Sequence, residues 1–140
     1  MTLLLKINPD ALLDGVAVVP RMKSALLTGD DIGATVYVWF GDAPGAPGAL
    51  HSRTTLTAFE PLKMPQVHDA SKLKDAYRLS MATAQERPVT TLTTRDLGPY
   101  RYVEGADGVE SLGRIHRDRN DKIIRLTGAE AAVLGERFQH

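Results

Sequence analysis

Residues Ile32 to Phe59 read IGATVYVWF, GDAPGAPGA and LHSRTTLTAF, two strand-like runs joined by a loop rich in glycine and proline. Successive side chains of a strand point to opposite faces, so Val36, Val38 and Phe40 share one face and Thr35, Tyr37 and Trp39 the other. In the second run Leu50, Leu56 and Ala58 have one parity, and His51, Arg53, Thr55 and Thr57 have the other. Pairing the apolar faces brings Tyr37, Trp39, His51 and Arg53 onto one common face, a register that a one-residue slip would reverse. These four are the candidate ligand-binding residues. Trp39, the only tryptophan, and Tyr37 offer a flat stacking platform, and Arg53 adds a cation–π or phosphate contact. Against this stands the reading in which Trp39 fills a core beneath a helix, as large aromatics on strands commonly do. The connecting loop, Gly41 to Gly48, is no phosphate cradle, because its two prolines lack the N–H groups such a site needs. It serves either as a lid or contact loop or as an inert surface turn.

Upstream, Leu3, Leu5 and Ile7 alternate with Leu4 and Lys6, which predicts a first strand. Asn8 then caps a short helix with Pro9 at its first position, running to Leu13 and ending near Gly15. Val16 to Val19 is a second strand or a buried extended segment. Downstream, Leu73, Ala76, Tyr77, Met81 and Ala84 recur at helical spacing and predict a helix over residues 70 to 84. The threonine-rich run VTTLTT after Pro88 suits a half-exposed strand, and Tyr100-Arg101-Tyr102, a lesser aromatic-basic cluster, reads more readily as alternating core and surface positions of a further short strand. Leu112 to His116 and Lys122 to Leu126 predict a final hairpin. Thr127 and Glu130 have the capping-box spacing, so a helix runs from Gly128 to about Phe138.

The segment GRIHRDRNDKIIR concentrates Arg114, Arg117, Arg119, Lys122 and Arg125 against only Asp118 and Asp121. At a hairpin tip, Arg114, Arg117, Arg119 and Lys122 become candidate contacts to a nucleic-acid backbone. The competing reading is a solvated turn whose aspartates weaken the field.

Composition bounds these choices. A chain of 140 residues is the size of one domain, 1–140, able to bury a core without covalent staples. Seventeen Lys and Arg against seventeen Asp and Glu leave a formal charge of zero, so any nucleic-acid contact must be local. The absence of cysteine excludes disulfides and thiolate sites and fits a reducing, cytoplasmic setting. The opening MTLLLKINPD is too short an apolar run for a signal peptide or a membrane span, so no membrane partner is expected. There is no G-x-S-x-G, HExxH or P-loop motif, and no cofactor or metal is called for.

The strand VYVW preceded by a glycine, the glycine-bearing loop, the second strand and the opening LLLKINPDAL together resemble the PUA-like superfamily, in particular its EVE and ASCH branches, over about the first 60 residues. The G-x-K-x-x-E motif of many ASCH domains is absent. The resemblance implies an α+β fold, a small twisted, partly closed β-barrel with flanking helices, used to bind RNA or to hold a modified base in an aromatic pocket. It implies Trp39 as a pocket wall with Tyr37, His51 and Arg53 as neighbours.

The leading reading is therefore a non-catalytic nucleic-acid-binding module for RNA or modified DNA. Two alternatives stand beside it. One is a small hydrolase or base-processing enzyme using His51 or His116 as general base in a cleft roofed by the Gly/Pro loop. The other is an interaction domain forming a homodimer through an exposed sheet face.

Overall fold

The computed structural model describes residues 2–66, 68–106, 108–117 and 120–139. Among these, six strands form one mixed sheet: β1 (Thr2–Ile7), β2 (Val16–Pro20), β3 (Thr35–Phe40), β4 (Ala49–Pro65), β5 (Leu73–Met81) and β6 (Lys122–Arg125). Their spatial order is β2-β5-β4-β3-β1-β6. Only β1 and β3 run parallel; the other neighbours are antiparallel. The sheet curls until the edge strands β2 and β6 approach each other, giving the partly closed barrel that the resemblance implies. Two short α-helices, α1 (Thr94–Leu97) and α2 (Gly128–Glu136), and several 3₁₀ turns flank it.

The alternation in the N-terminal half is observed. Leu3, Leu5 and Ile7 of β1 and Val36 and Val38 of β3 point into the barrel, where Val19, Leu56, Tyr77, Leu79 and Met81 complete the core. The opposite face of the same two strands carries Leu4, Tyr37 and Trp39. It is covered by an outer layer of Leu92, Leu97, Leu112, Ile115, Leu134 and Phe138. Asn8 caps the turn that follows β1, its side chain accepting from the Asp10 amide, with Pro9 in the first position as expected. The capping box before α2 is present too, Thr127 accepting from the Glu130 amide.

Four expectations are corrected. Residues 73–81 are strand β5 and not a helix, because Tyr77, Leu79 and Met81 alternate into the barrel. The segment VTTLTT makes only an isolated bridge, Ala49 to Thr93, before turning into α1. Residues 100–103 form no strand: Tyr100 ends a 3₁₀ turn (Gly98–Tyr100). The C-terminal hairpin is likewise absent, since residues 108–116 wind into a 3₁₀ helix (Gly108–His116) and β6 pairs with β1.

Candidate functional site

Of the four residues expected on one face, Tyr37, Trp39 and Arg53 share it and His51 does not. Tyr37 does pair with Arg53, but a bulge between Val38 and Trp39 sets Ser52 opposite Val38 and Leu50 opposite Trp39. A bulge places an extra residue on one strand and shifts the alternation beyond it. His51 therefore leaves the face of Trp39 and stacks on Phe40, ring centroids 3.9 Å apart, while Leu50 joins Trp39 in the outer layer.

Trp39 itself is sealed, with 0% of its surface exposed. It packs under the outer layer and not beneath a helix at 70–84, and its indole Nε1 finds no hydrogen-bond partner among the described residues. Arg53 forms a two-point ion pair with Glu86, at 2.8 and 3.1 Å, and its guanidinium lies 4.5 Å over the Phe138 ring. The bonds to Glu86 hold the Arg53 pKa up and that of Glu86 down.

The basic candidates are also committed to the fold. Arg114 makes paired bonds to Glu130, a carboxylate only 2% exposed, and caps the Arg125 carbonyl. Arg117 donates to the carbonyls of Arg101 and Val103. Lys122 is buried, directly across the ladder from Lys6. Arg119 lies outside the described residues.

A cleft of about 530 Å³ opens where β1 and β3 end side by side. Parallel neighbours finish at the same edge, and here the two chains then diverge. One turns through Asn8, and the other enters the Gly41–Gly48 loop after the Gly41 amide has closed onto the Ile7 carbonyl at 3.0 Å. Lys6 and Ile7 line the cleft from β1, Asp42 to Pro44 from the loop, and Thr94 from α1. Arg101, His116 and Asp121 complete it. A second hollow shares Asp42, Ala43, Thr94 and His116 with the first and is also lined by Gly45, Ala46 and Pro47, so residues of the Gly/Pro loop line both cavities.

The charges around the cleft are set by named contacts. Lys6 is only 4% exposed, and its Nζ donates to the Ile115 carbonyl at 2.8 Å. Lysines are almost never buried this deeply unless partnered. Asp42 Oδ1 accepts from the Gly48 amide and from the Thr94 hydroxyl, both at 2.6 Å, which pins the two ends of the loop together. These two bonds, the amide first, hold the Asp42 carboxyl below its ordinary pKa. His116 is half-buried, and that burial pushes its pKa down; the nearby Asp42 opposes the shift and Lys6 and Arg101 add to it. Asp121 accepts from the Asn8 amide at 3.0 Å across the mouth. Arg101 is held by a 2.7 Å bond to the Arg117 carbonyl.

The arrangement sets cationic donors at the floor and wall, carboxylate acceptors at the mouth and one flat, neutral imidazole between them. Among the described residues no group of three His, Asp or Glu is placed to hold a metal. Of the cleft-forming residues, sequence reasoning had named His116 and the loop, under the enzyme reading. It gave Asp42 no role of its own within that loop, set the cluster around Arg101 aside as strand positions, and missed Lys6, Thr94 and Asp121. The available signal was Lys6, a lysine on the same face as Leu4 in a strand apolar on both sides.

No family model matches the chain, and no curated protein matches it in sequence. The fold is similar to the crystal structure of the DUF55 domain of human thymocyte nuclear protein 1, with a TM-score of 0.54 and 8% identity. The likeness covers 99% of this chain and 100% of that one. It gives the chain a PUA-like fold, over its whole length and not only the first 60 residues. No described helix is long and apolar enough to cross a membrane.

Proposed function

We propose that the protein is a nucleic-acid-binding module that seats one nucleotide of a single strand in the cleft at the ends of β1 and β3. The observation that carries this reading is the buried Lys6 at the floor of a cavity of about 530 Å³, within the usual range for small-ligand sites. Lys6, its ammonium bonded to the Ile115 carbonyl, adds positive charge to the cavity, Arg101 offers a donor to a phosphate or a base carbonyl, and Asp42 and Asp121 offer acceptors to an exocyclic amine. His116 presents a ring edge or face to the base. The PUA-like fold adds the nucleic-acid binding implied by the resemblance. The recognition residues are accordingly those of the cleft and not Trp39, which has no exposed surface on which to stack a ligand.

Fluorescence anisotropy with short single-stranded RNA and DNA, plain and base-modified, tests this at two salt concentrations. Binding that weakens with salt, and falls at least about tenfold in Lys6→Met, is the expected result, since phosphate contacts release counterions. No binding to any of these strands at low salt would sink the proposal.

A second reading rests on His116. Its depressed pKa leaves the imidazole neutral near pH 7, as a general base requires, and it shares the cleft with Asp42. His51, stacked on Phe40, has no such position. Turnover of a nucleoside or oligonucleotide that disappears in His116→Ala would favour this reading; unchanged substrate after prolonged incubation would remove it.

A further inference from the structure

Tyr102 is 75% exposed, the most open of the large hydrophobic side chains among the described residues. It stands beside the cleft, because the Arg101 guanidinium that lines the cavity lies 5.3 Å from the centre of its ring. Arg101 is fixed in that position: one terminal nitrogen donates to the Arg117 carbonyl at 2.7 Å, and Arg117 in turn donates to the Arg101 carbonyl at 2.8 Å. Gly113 lets the Tyr100–Arg101 backbone pass at a distance no side chain would permit, a Cβ there lying 2.0 Å from the Tyr100 oxygen. The Tyr102 ring has a held cation beside it and most of its surface bare. This is the arrangement that stacks a second flat group.

From this we infer that Tyr102 is a stacking ledge for the nucleotide next to the one in the cleft, so that the ligand is an unpaired strand of two or more nucleotides and not a free nucleoside. The inference rests on the cleft reading of the preceding section. A base stacks on an exposed aromatic largely irrespective of its identity, so the ledge adds affinity and strand polarity while the cleft supplies discrimination. A paired base is unavailable to it, because its faces are already covered by its own neighbours. Val103, the next residue, is 37% exposed and has its carbonyl taken by Arg117.

The test compares 5′-mononucleotides with homopolymeric tetranucleotides of each base, ribo and deoxy, on the wild type, Tyr102→Ala and Tyr102→Phe. Tyr102 is exposed, so neither substitution threatens the core. Tyr102→Ala is expected to weaken tetranucleotide binding about tenfold, within the range of a lost base–aromatic stack, and to leave mononucleotide binding unchanged. Tyr102→Phe keeps the ring and is expected to bind as wild type. A tetranucleotide that keeps one base for the cleft and is abasic elsewhere closes the cycle: it loses the same factor on the wild type and nothing further on Tyr102→Ala. If mononucleotides bind and Tyr102→Ala changes neither ligand, or changes both equally, the ledge is overturned and the cleft stands. If the wild type binds no nucleotide of either length, both are overturned.

Discussion

A Cβ at Gly113 would lie 2.0 Å from the Tyr100 oxygen and 3.0 Å from the Arg101 nitrogen, both backbone atoms that cannot swing aside. The 3₁₀ helix that ends in His116 is pressed at this point against the turn that ends in Tyr100, and His116 and Arg101, the residue after that turn, line the same cleft. Gly113→Ala is expected to cost about 3 kcal/mol, the upper part of the range for overpacking a filled site, because relief requires backbone movement. Urea denaturation measures it, and a loss under about 1 kcal/mol would show that the contact relaxes cheaply. None of this was legible in the sequence, where Gly113 sits in the basic segment and nothing marks its neighbour 13 positions earlier. Lys6 was more legible. A lysine in LLLKI, on the face shared with Leu4, is out of place in a strand buried on both sides, and that misfit is the residue-scale sign of the site.

At the scale of elements, the sequence was readable wherever one period dominated and misleading wherever two competed. β1 and β3 alternate without interruption, and their faces are as the pattern predicts. In β5, Leu73, Ala76, Tyr77, Met81 and Ala84 satisfy a helical period, but Leu79, left out of that set, gives Tyr77, Leu79 and Met81 a period of two. Burial inside the barrel decides for the strand. In β4 the parity rule fails at His51, because a bulge is a local backbone event that no alternation pattern announces. The edge strand β6 supplies a testable joint. Arg125 reaches from it to Asp31, at 2.7 and 2.8 Å, and to the Leu26 carbonyl, so one guanidinium fastens β6 to the connection between β2 and β3. Asp31 is fully buried and also accepts from the Thr28 amide. Removing one member of a buried pair costs about 3–5 kcal/mol, but Arg125 is 32% exposed and can be rehydrated, so Asp31→Ala is expected to cost about 2 kcal/mol. Hydrogen exchange should quicken first at the β6 amides; faster exchange confined to β4 and β5 would contradict this joint.

Over the whole molecule, the histidines and the carboxylates held below their ordinary pKa values form two sets that destabilise the fold in two separate acid windows. His51 and His116 are both depressed, each by burial first, with Arg87 adding to the effect on His51. The unfolded chain, whose histidines titrate near about pH 6.5, then takes up protons before the folded one does. Stability from these groups is full above about pH 6.5 and is lost as pH falls through the depressed values. Asp31 is depressed chiefly by its bond from Arg125, and Asp42 by the Gly48 amide. Their contribution persists to about pH 4, the ordinary carboxylate value, and vanishes only below it. Thermal melting should therefore show a plateau above neutrality, a first decline starting near pH 6.5, and a second below about pH 4. In His51→Gln/His116→Gln the first decline should disappear and the second remain; a wild-type melting temperature that is level from pH 7 to 5 would refute the assignment. Ligand affinity runs the other way. A phosphate near His116 favours the protonated ring, so a strand seated in the cleft should bind more tightly over the same interval in which the free protein loses stability. His116→Gln should make that affinity independent of pH between 7 and 5, and a pH response that survives the substitution would place the bound phosphate away from His116.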